Sequence, residues 1–224
     1  MRKPALLLCA CTLLVVGTAA QHRTPALPRN SVVCGPLKDQ TFRCPKFGFT
    51  YKVVFGWVER TKEMQASGAG QEPVPNEPAT GRTQPSEAKG KAPEILLAVF
   101  ERPPQAQGQT INSAVVIATE PRAYYPAVKT AAGYFGPITD LAAQRGLQPV
   151  SDPYVFAVGG KQLLRGDFSG KRVTLTMFQS SLVTIRNGEI ISFTFIAGSE
   201  DEVEELIANL SFGISTRPQQ HPAR

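Results

Sequence analysis

The stretch KQLLRGDFSGKRVTLTMFQSSLVTIRNGEIISFTFIA, residues 161–197, decides the fold. Its β-branched and aromatic runs are broken by two turn signals, Ser169-Gly170 and Asn187-Gly188. Asn-Gly is the strongest short hairpin signal, because a type I′ turn needs positive φ at both central residues. A two-residue turn at 187–188 sets Arg186 opposite Glu189. Ser169-Gly170, read the same way, sets Asp167 opposite Arg172. Strands are therefore expected over residues 161–168, 171–185 and 190–197. Both cross-strand pairs are of opposite charge, each worth about 0.2–1 kcal/mol.

The same register makes a prediction about surface chemistry. Across the 187–188 hairpin, Ser181 faces Thr194 and Val183 faces Ser192, with Gln179 diagonal to Thr194 on the same side. Gln179, Ser181, Ser192 and Thr194 form a polar strip bounded by Met177, Ile185, Ile190 and Ile196. Covered by a helix, the strip is a set of buried polar groups in need of partners, which could include a small ligand. Left open, it is solvated Ser and Thr, the simpler reading.

Beyond the last strand, Gly198 precedes Ser199, and Glu202 follows three residues later, the pattern of a capping box. Glu200 and Asp201 add negative charge at the positive end of the helix dipole. Val203, Leu206, Ile207 and Leu210 form the apolar face of that helix. Upstream, residues 95–100 and 114–118 are continuous apolar runs of the kind found in strands buried on both faces. Phe49, Tyr51, Val53 and Phe55 alternate within a first strand expected over residues 47–59, and Trp57 is its core anchor. Val128, Ala131, Ala132, Phe135, Ile138, Leu141 and Ala142 recur at helical spacing, with Gly146 placed as a C-terminal cap. Gly136-Pro137 interrupts that run, so a kink or a second helix starting at Pro137 is expected.

The segment Gly48-Phe49-Thr50-Tyr51 leading to Gly56-Trp57 resembles the first strand of PsbP-like proteins, the extrinsic photosystem II subunits and their bacterial relatives. The long strand, the Asn187-Gly188-Glu189 turn, the strand closing at Ala197, the acidic helix and the final Asn209-Leu210-Ser211-Phe212 resemble that family's C-terminal half. The likeness spans residues 47–212, and Val54 and Phe55 stand where the family often carries a proline before the tryptophan. The resemblance implies an α+β fold: an antiparallel sheet with helices packed on its faces, an α/β/α sandwich. It also implies a non-enzymatic accessory or binding role, and it carries over no ligand residue.

The rest of the chain is read as periphery. Arg2 and Lys3, an apolar run over residues 5–16 and the small residues 17–20 form a secretory signal peptide, with cleavage expected after Ala20. The run is shorter than the roughly 20 residues a membrane-spanning helix needs. Cys11 follows Leu8-Cys9-Ala10, a poor match to the site of a lipid anchor. Export removes Cys9 and Cys11 and leaves Cys34 and Cys44, an even pair that reads as a disulfide stabilising by about 2–3 kcal/mol. Residues 21–46 form a flexible leader and residues 213–224 a disordered tail. Five prolines between residues 65 and 93, spaced by Gly, Ala, Ser, Glu and Gln, mark a disordered insertion, either a docking segment or a tolerated loop. Residues 47–212 make one domain.

The chemical readings are thin. His22 and His221 are the only histidines and sit in the two tails, so no positioned imidazole for nucleophilic catalysis and no zinc cluster is expected. The net charge of +6 falls by two with the signal and is scattered, which argues against nucleic acid. Acidic residues crowd one helix start, Glu200, Asp201, Glu202, Glu204 and Glu205, where capping and a solvated face explain them. Arg165-Gly166-Asp167 spells an adhesion tripeptide, but in a strand its side chains alternate faces. The expectation is an exported, periplasmic or extracellular accessory protein with no cofactor and no metal. It acts through an envelope protein partner, with small-ligand binding on the polar strip as the alternative and an enzyme using carboxylates alone ranked below both.

Overall fold

The computed structural model describes residues 33–67, 92–103, 106, 108–172 and 174–213. The expected signal peptide, most of the leader and of the 65–93 insertion, and the 214–224 tail lie outside the described residues.

Among the described residues, fourteen strands and α-helices follow one another, besides two short 3-10 helices: β1 (Thr41–Cys44), β2 (Phe49–Lys52), β3 (Val58–Glu59), α1 (Thr61–Ala66), β4 (Glu94–Phe100), β5 (Ala114–Pro121), α2 (Phe135–Gln144), β6 (Gln148–Pro149), β7 (Tyr154–Val158), β8 (Lys161–Arg172), β9 (Leu175–Arg186), β10 (Glu189–Ala197), α3 (Glu200–Ala208) and β11 (Leu210–Phe212). The main sheet runs β3-β4-β5-β10-β9-β8-β6, with β7 also pairing β8, and β1-β2-β11 form a second, three-stranded sheet. All pairings are antiparallel. The fold is α+β.

Two cores flank the main sheet. On one face Phe193, Phe195, Val115, Leu97 and Leu182 meet the three-stranded sheet through Phe49 and Tyr51, and α3 through Val203, Leu206 and Ile207. On the other, Ala98, Ala114, Phe168, Val183 and Ile196 meet Met64 of α1 and Phe135, Ile138 and Ala142 of α2. The central runs β4 and β5 are buried on both faces, as continuous apolar strands should be.

Local chemistry explains the ends of the elements. Asn187 and Gly188 have φ of 54° and 78°, the left-handed pair a type I′ turn requires, and Arg186 stands opposite Glu189. Ser199 accepts a hydrogen bond from the Glu202 amide at 3.2 Å, and the Glu202 carboxylate accepts one from Gly198 N. At the end of α2, Leu147 N donates to the Ala142 carbonyl and Gly146 N to that of Ala143, a Schellman cap. The apolar run is broken near Gly136-Pro137 as expected: a 3-10 turn over Ala131–Tyr134 gives way to α2 at Phe135, and Pro137 lies in the first turn of α2, where its missing N–H would have no partner anyway.

Three expectations are corrected. The first strand is not continuous over residues 47–59: β2 ends at Lys52 and only Val58–Glu59 pair again, against β4. Folding also begins inside the expected leader, since β1 pairs with β2 and buries Phe42 and Cys44. Third, Ser169-Gly170 is not a turn. β8 continues through it to Arg172, which faces Leu175, while Asp167 faces Ser180 and not Arg172.

The physical reason for the third lies across the sheet. A Cβ on Gly170 would sit 2.2 Å from the carbonyl oxygen of Gly146, and one on Gly166 would sit 2.4 Å from the Phe135 ring. Both glycines are bare because the α2 segment lies directly on β8.

The Gly170 contact is with backbone, which cannot swing away. Gly170→Ala is expected to cost about 2–3 kcal/mol, in the range of overpacking. Equilibrium urea unfolding measures it, and a loss below about 0.5 kcal/mol, the level of an ordinary surface change, would show that this close approach does not constrain the fold.

Candidate functional site

The polar strip forms in the register expected for it and then divides in two. Ser181 faces Thr194 and Ser192 faces Val183. Gln179 and Ser181 are buried at 4% and 0% exposure, and Gln179 Nε2 donates to Ser181 Oγ at 3.2 Å. Ser192 and Thr194 are half-buried. Gln179 Oε1 is buried without a hydrogen-bond partner among the described residues. The structure thus brings the four residues together on one face, and the inner pair is buried on the side of the sheet that meets the helical segment 131–144.

A second polar cluster, on the opposite face, escaped sequence reading. Arg165 is only 6% exposed. Its Nε donates to Asp167 Oδ1 at 2.8 Å, and its Nη2 to Glu204 Oε1 at 2.5 Å and to Ser180 Oγ at 3.1 Å. Ser180 in turn donates to Asp167. The guanidinium lies 4.9 Å from the Phe156 ring centre and 5.9 Å from that of Tyr154, whose hydroxyl donates to Asp167 Oδ2 at 2.9 Å. Burial favours loss of the Arg165 proton, but the hydrogen bonds to Glu204 and Asp167 outweigh it and hold the charge more firmly than usual. Burial, aided by the bond to Asp167, pushes the Tyr154 phenol up to about 12.

This network ties β7, β8, β9 and α3 together through one cation. Two members of the adhesion tripeptide are consumed in it, so Arg165-Gly166-Asp167 is not displayed. Glu204, read from sequence as a solvated acid, is a partner of that cation. The readable signal for β7 was Gly159-Gly160, both with positive φ, which makes the β7–β8 turn by the same logic as Asn187-Gly188.

Charges near the 187–188 turn are also used differently from the sequence reading. Arg186 and Glu189 are opposite in register, yet Glu189 bonds Lys46 at 2.6 Å and Arg186 Nη1 donates to the Phe47 carbonyl at 2.8 Å. The β1–β2 turn is therefore anchored to this hairpin. Nearby, Cys34 and Cys44 form the expected disulfide.

Shallow clefts open on the surface of the described residues. One, about 450 Å³, lies among Pro45, Gly48, Gly160, Lys161, Arg186 and Gly213. Another, about 440 Å³, lies between α2 and the β6–β7 connection, over Leu164, Gly166 and Phe168. Among the described residues no group of three or more His, Cys, Asp or Glu could hold a metal ion, and no helix is long and apolar enough to cross a membrane.

No family model and no curated protein matches the chain. Among solved structures, it is similar to cyanobacterial PsbP from Synechocystis sp. PCC 6803, at 16% identity over 80% of this chain and 94% of that one, with a TM-score of 0.42. It is also similar to LpqN, involved in cell envelope biogenesis of Mycobacterium tuberculosis, at 11% identity over 74% and 83% of the two chains, with a TM-score of 0.34.

Removing the buried cation while leaving Asp167 behind should be severe. Arg165→Met is expected to cost about 3–5 kcal/mol, the usual penalty for breaking a buried pair, read from denaturant unfolding. A loss under about 1 kcal/mol would mean the network is solvated like a surface pair. The tyrosines give an alkaline signature. Tyr125, raised to about 12 by burial and then by Glu120, and Tyr154 hold their protons more tightly folded than unfolded. Stability from this source is complete below pH 10, the ordinary tyrosine value, and falls as pH rises from there toward 12. Tyr154→Phe should flatten that fall, and an unchanged slope of unfolding free energy against pH would remove Tyr154 from it.

Proposed function

We propose that this chain is an exported, non-enzymatic accessory protein of the cell envelope that works by docking a partner protein, and that β7 is where the partner adds a strand. The carrying observation is the edge that β7 leaves open. Its sequence is Tyr-Val-Phe-Ala-Val, and among the described residues it pairs only with β8. Tyr154 is 41% exposed and Val155 63%. Edge strands are normally blunted by lysines, bulges or prolines, and β7 has only Pro153 ahead of its first residue.

The register says which backbone groups are free. The two-residue turn makes Val158 and Lys161 a hydrogen-bonded pair, so Tyr154 and Phe156 also point their backbone groups toward β8. Val155 and Ala157 turn theirs outward. An added strand would bond these groups, and Val155 would give it an apolar contact, the arrangement of β-strand augmentation. The Cys34–Cys44 disulfide supports an oxidising compartment, in keeping with the signal-like first twenty residues.

A second reading, small-ligand carriage on the polar strip, is favoured by the unpartnered Gln179 Oε1 beside half-buried Ser192 and Thr194. A ligand there would raise the melting temperature by mass action, and Gln179→Leu would abolish that rise.

Strand addition has a backbone-specific test. A photoreactive side chain at Val155, expressed in the native envelope, should give one discrete cross-linked product. Ala157→Pro removes an outward N–H without touching the β7–β8 ladder, so it should abolish that product while leaving the melting temperature near its starting value. No product, or one indifferent to Ala157→Pro, would overturn the reading.

A further inference from the structure

We propose that the cleft where the β1–β2 turn, the β7–β8 turn and the end of β11 converge is a binding site for a small organic acid, an oxyanion head on an apolar body. Arg186 and Lys161 both line this cleft, and no carboxylate does. Lys46, on the same turn as Gly48, is already matched by Glu189. Lys161 forms no ion pair among the described residues.

Arg186 is held in place for such a role. Its Nη1 is fixed on the Phe47 carbonyl, which leaves Nη2 and Nε as donors. Gly48 lies close beneath, with φ of 71°, and a Cβ there would come within 3.0 Å of Nη1. The guanidinium therefore rests on bare backbone in a fixed plane, the geometry suited to two oxygens of one head group. On the other side, a Cβ at Gly160 or Gly213 would meet nothing within 4 Å, so the walls are backbone facing open space.

Size and polarity select the ligand class. A cleft of about 450 Å³ is far larger than an inorganic ion and falls within the range of small-molecule sites. Phe212, also in the lining, is fixed by ring contacts with Phe49 and Phe193 at 6.1 and 5.9 Å and offers an apolar surface beside the cations. A carboxylate or a phosphate monoester on a ring or short chain matches both halves. The site uses none of the outward groups of β7 and stands apart from strand addition.

The test titrates the isotope-labelled full chain with benzoate, phenyl phosphate, inorganic phosphate and benzyl alcohol, following backbone amide shifts. Benzoate or phenyl phosphate should move the Gly160 and Gly213 amides, and the tighter of the two tells a carboxylate head from a phosphate. Lys161→Ala should weaken that binding at least ~10-fold, which corresponds to ~1.4 kcal/mol. Lys161 is the residue to change because Arg186 also anchors the β1–β2 turn. No shift with either acid up to ~1 mM, the weak end of ordinary affinities, would overturn the proposal. So would equal binding of inorganic phosphate or of benzyl alcohol, or full affinity in a folded Lys161→Ala chain.

Discussion

The contact between the α2 segment and β8 is the constraint on which the rest of the structure leans. Gly166 and Gly170 remove two side chains from the middle of a twelve-residue strand, and Phe135 and the Gly146 carbonyl fill the space. That contact keeps β8 extended through a dipeptide that locally favours turning. Because β8 stays extended, Leu164 to Arg172 pair with β9, and its outer edge is long enough to take β6 and β7 one after the other. The β7 edge and the cleft at the β7–β8 turn both lie at the other end of that strand from Gly170.

Hence one Gly-containing pair was legible in the sequence and the other was not. Asn187-Gly188 is a local matter: positive φ at both positions is the whole explanation, and the turn and register follow from it. Ser169-Gly170 is a glycine of another kind, needed for a neighbour more than twenty positions away in sequence for Gly146, which spacing alone does not reveal. Gly159-Gly160 carried the same local signal as Asn187-Gly188, and β7 was there to be read from it. The Cys34–Cys44 link and the Ser199 cap were likewise local and likewise legible. The start of folding at Thr41 was hidden because β1 has only four residues and is stabilised by burying Phe42 and Cys44 against distant partners.

The polar residues follow the same division. Register placed Gln179, Ser181, Ser192 and Thr194 on one face from sequence alone, since a period of two leaves no choice. Their burial depended on where the helical segment 131–144 lies, and that is tertiary information. Asp167 shows the cost of a shifted turn. Once the hairpin moves, its cross-strand neighbour becomes Ser180, and its counter-charge becomes Arg165, two residues along the same strand and on the same face. A cation held at 6% exposure needs more than one acceptor, which is why Glu204 of α3, on the far side of the sheet edge, is drawn in.

The consequence is a division of the surface by how firmly it is held. The Arg165 network fixes β7 by its Tyr154 and Phe156 side, so the strand is rigid although its outer edge has no partner among the described residues. A rigid open edge loses little conformational entropy when a strand is added to it, whereas a frayed one would have to be ordered first. The same reasoning applies at the opposite end of β7. There Arg186 is pinned by Phe47, and Phe212 by two other rings, so a ligand entering between them meets groups already in position. In both places the buried polar and aromatic contacts stabilise the fold, and the groups they leave facing outward are the ones free to bind.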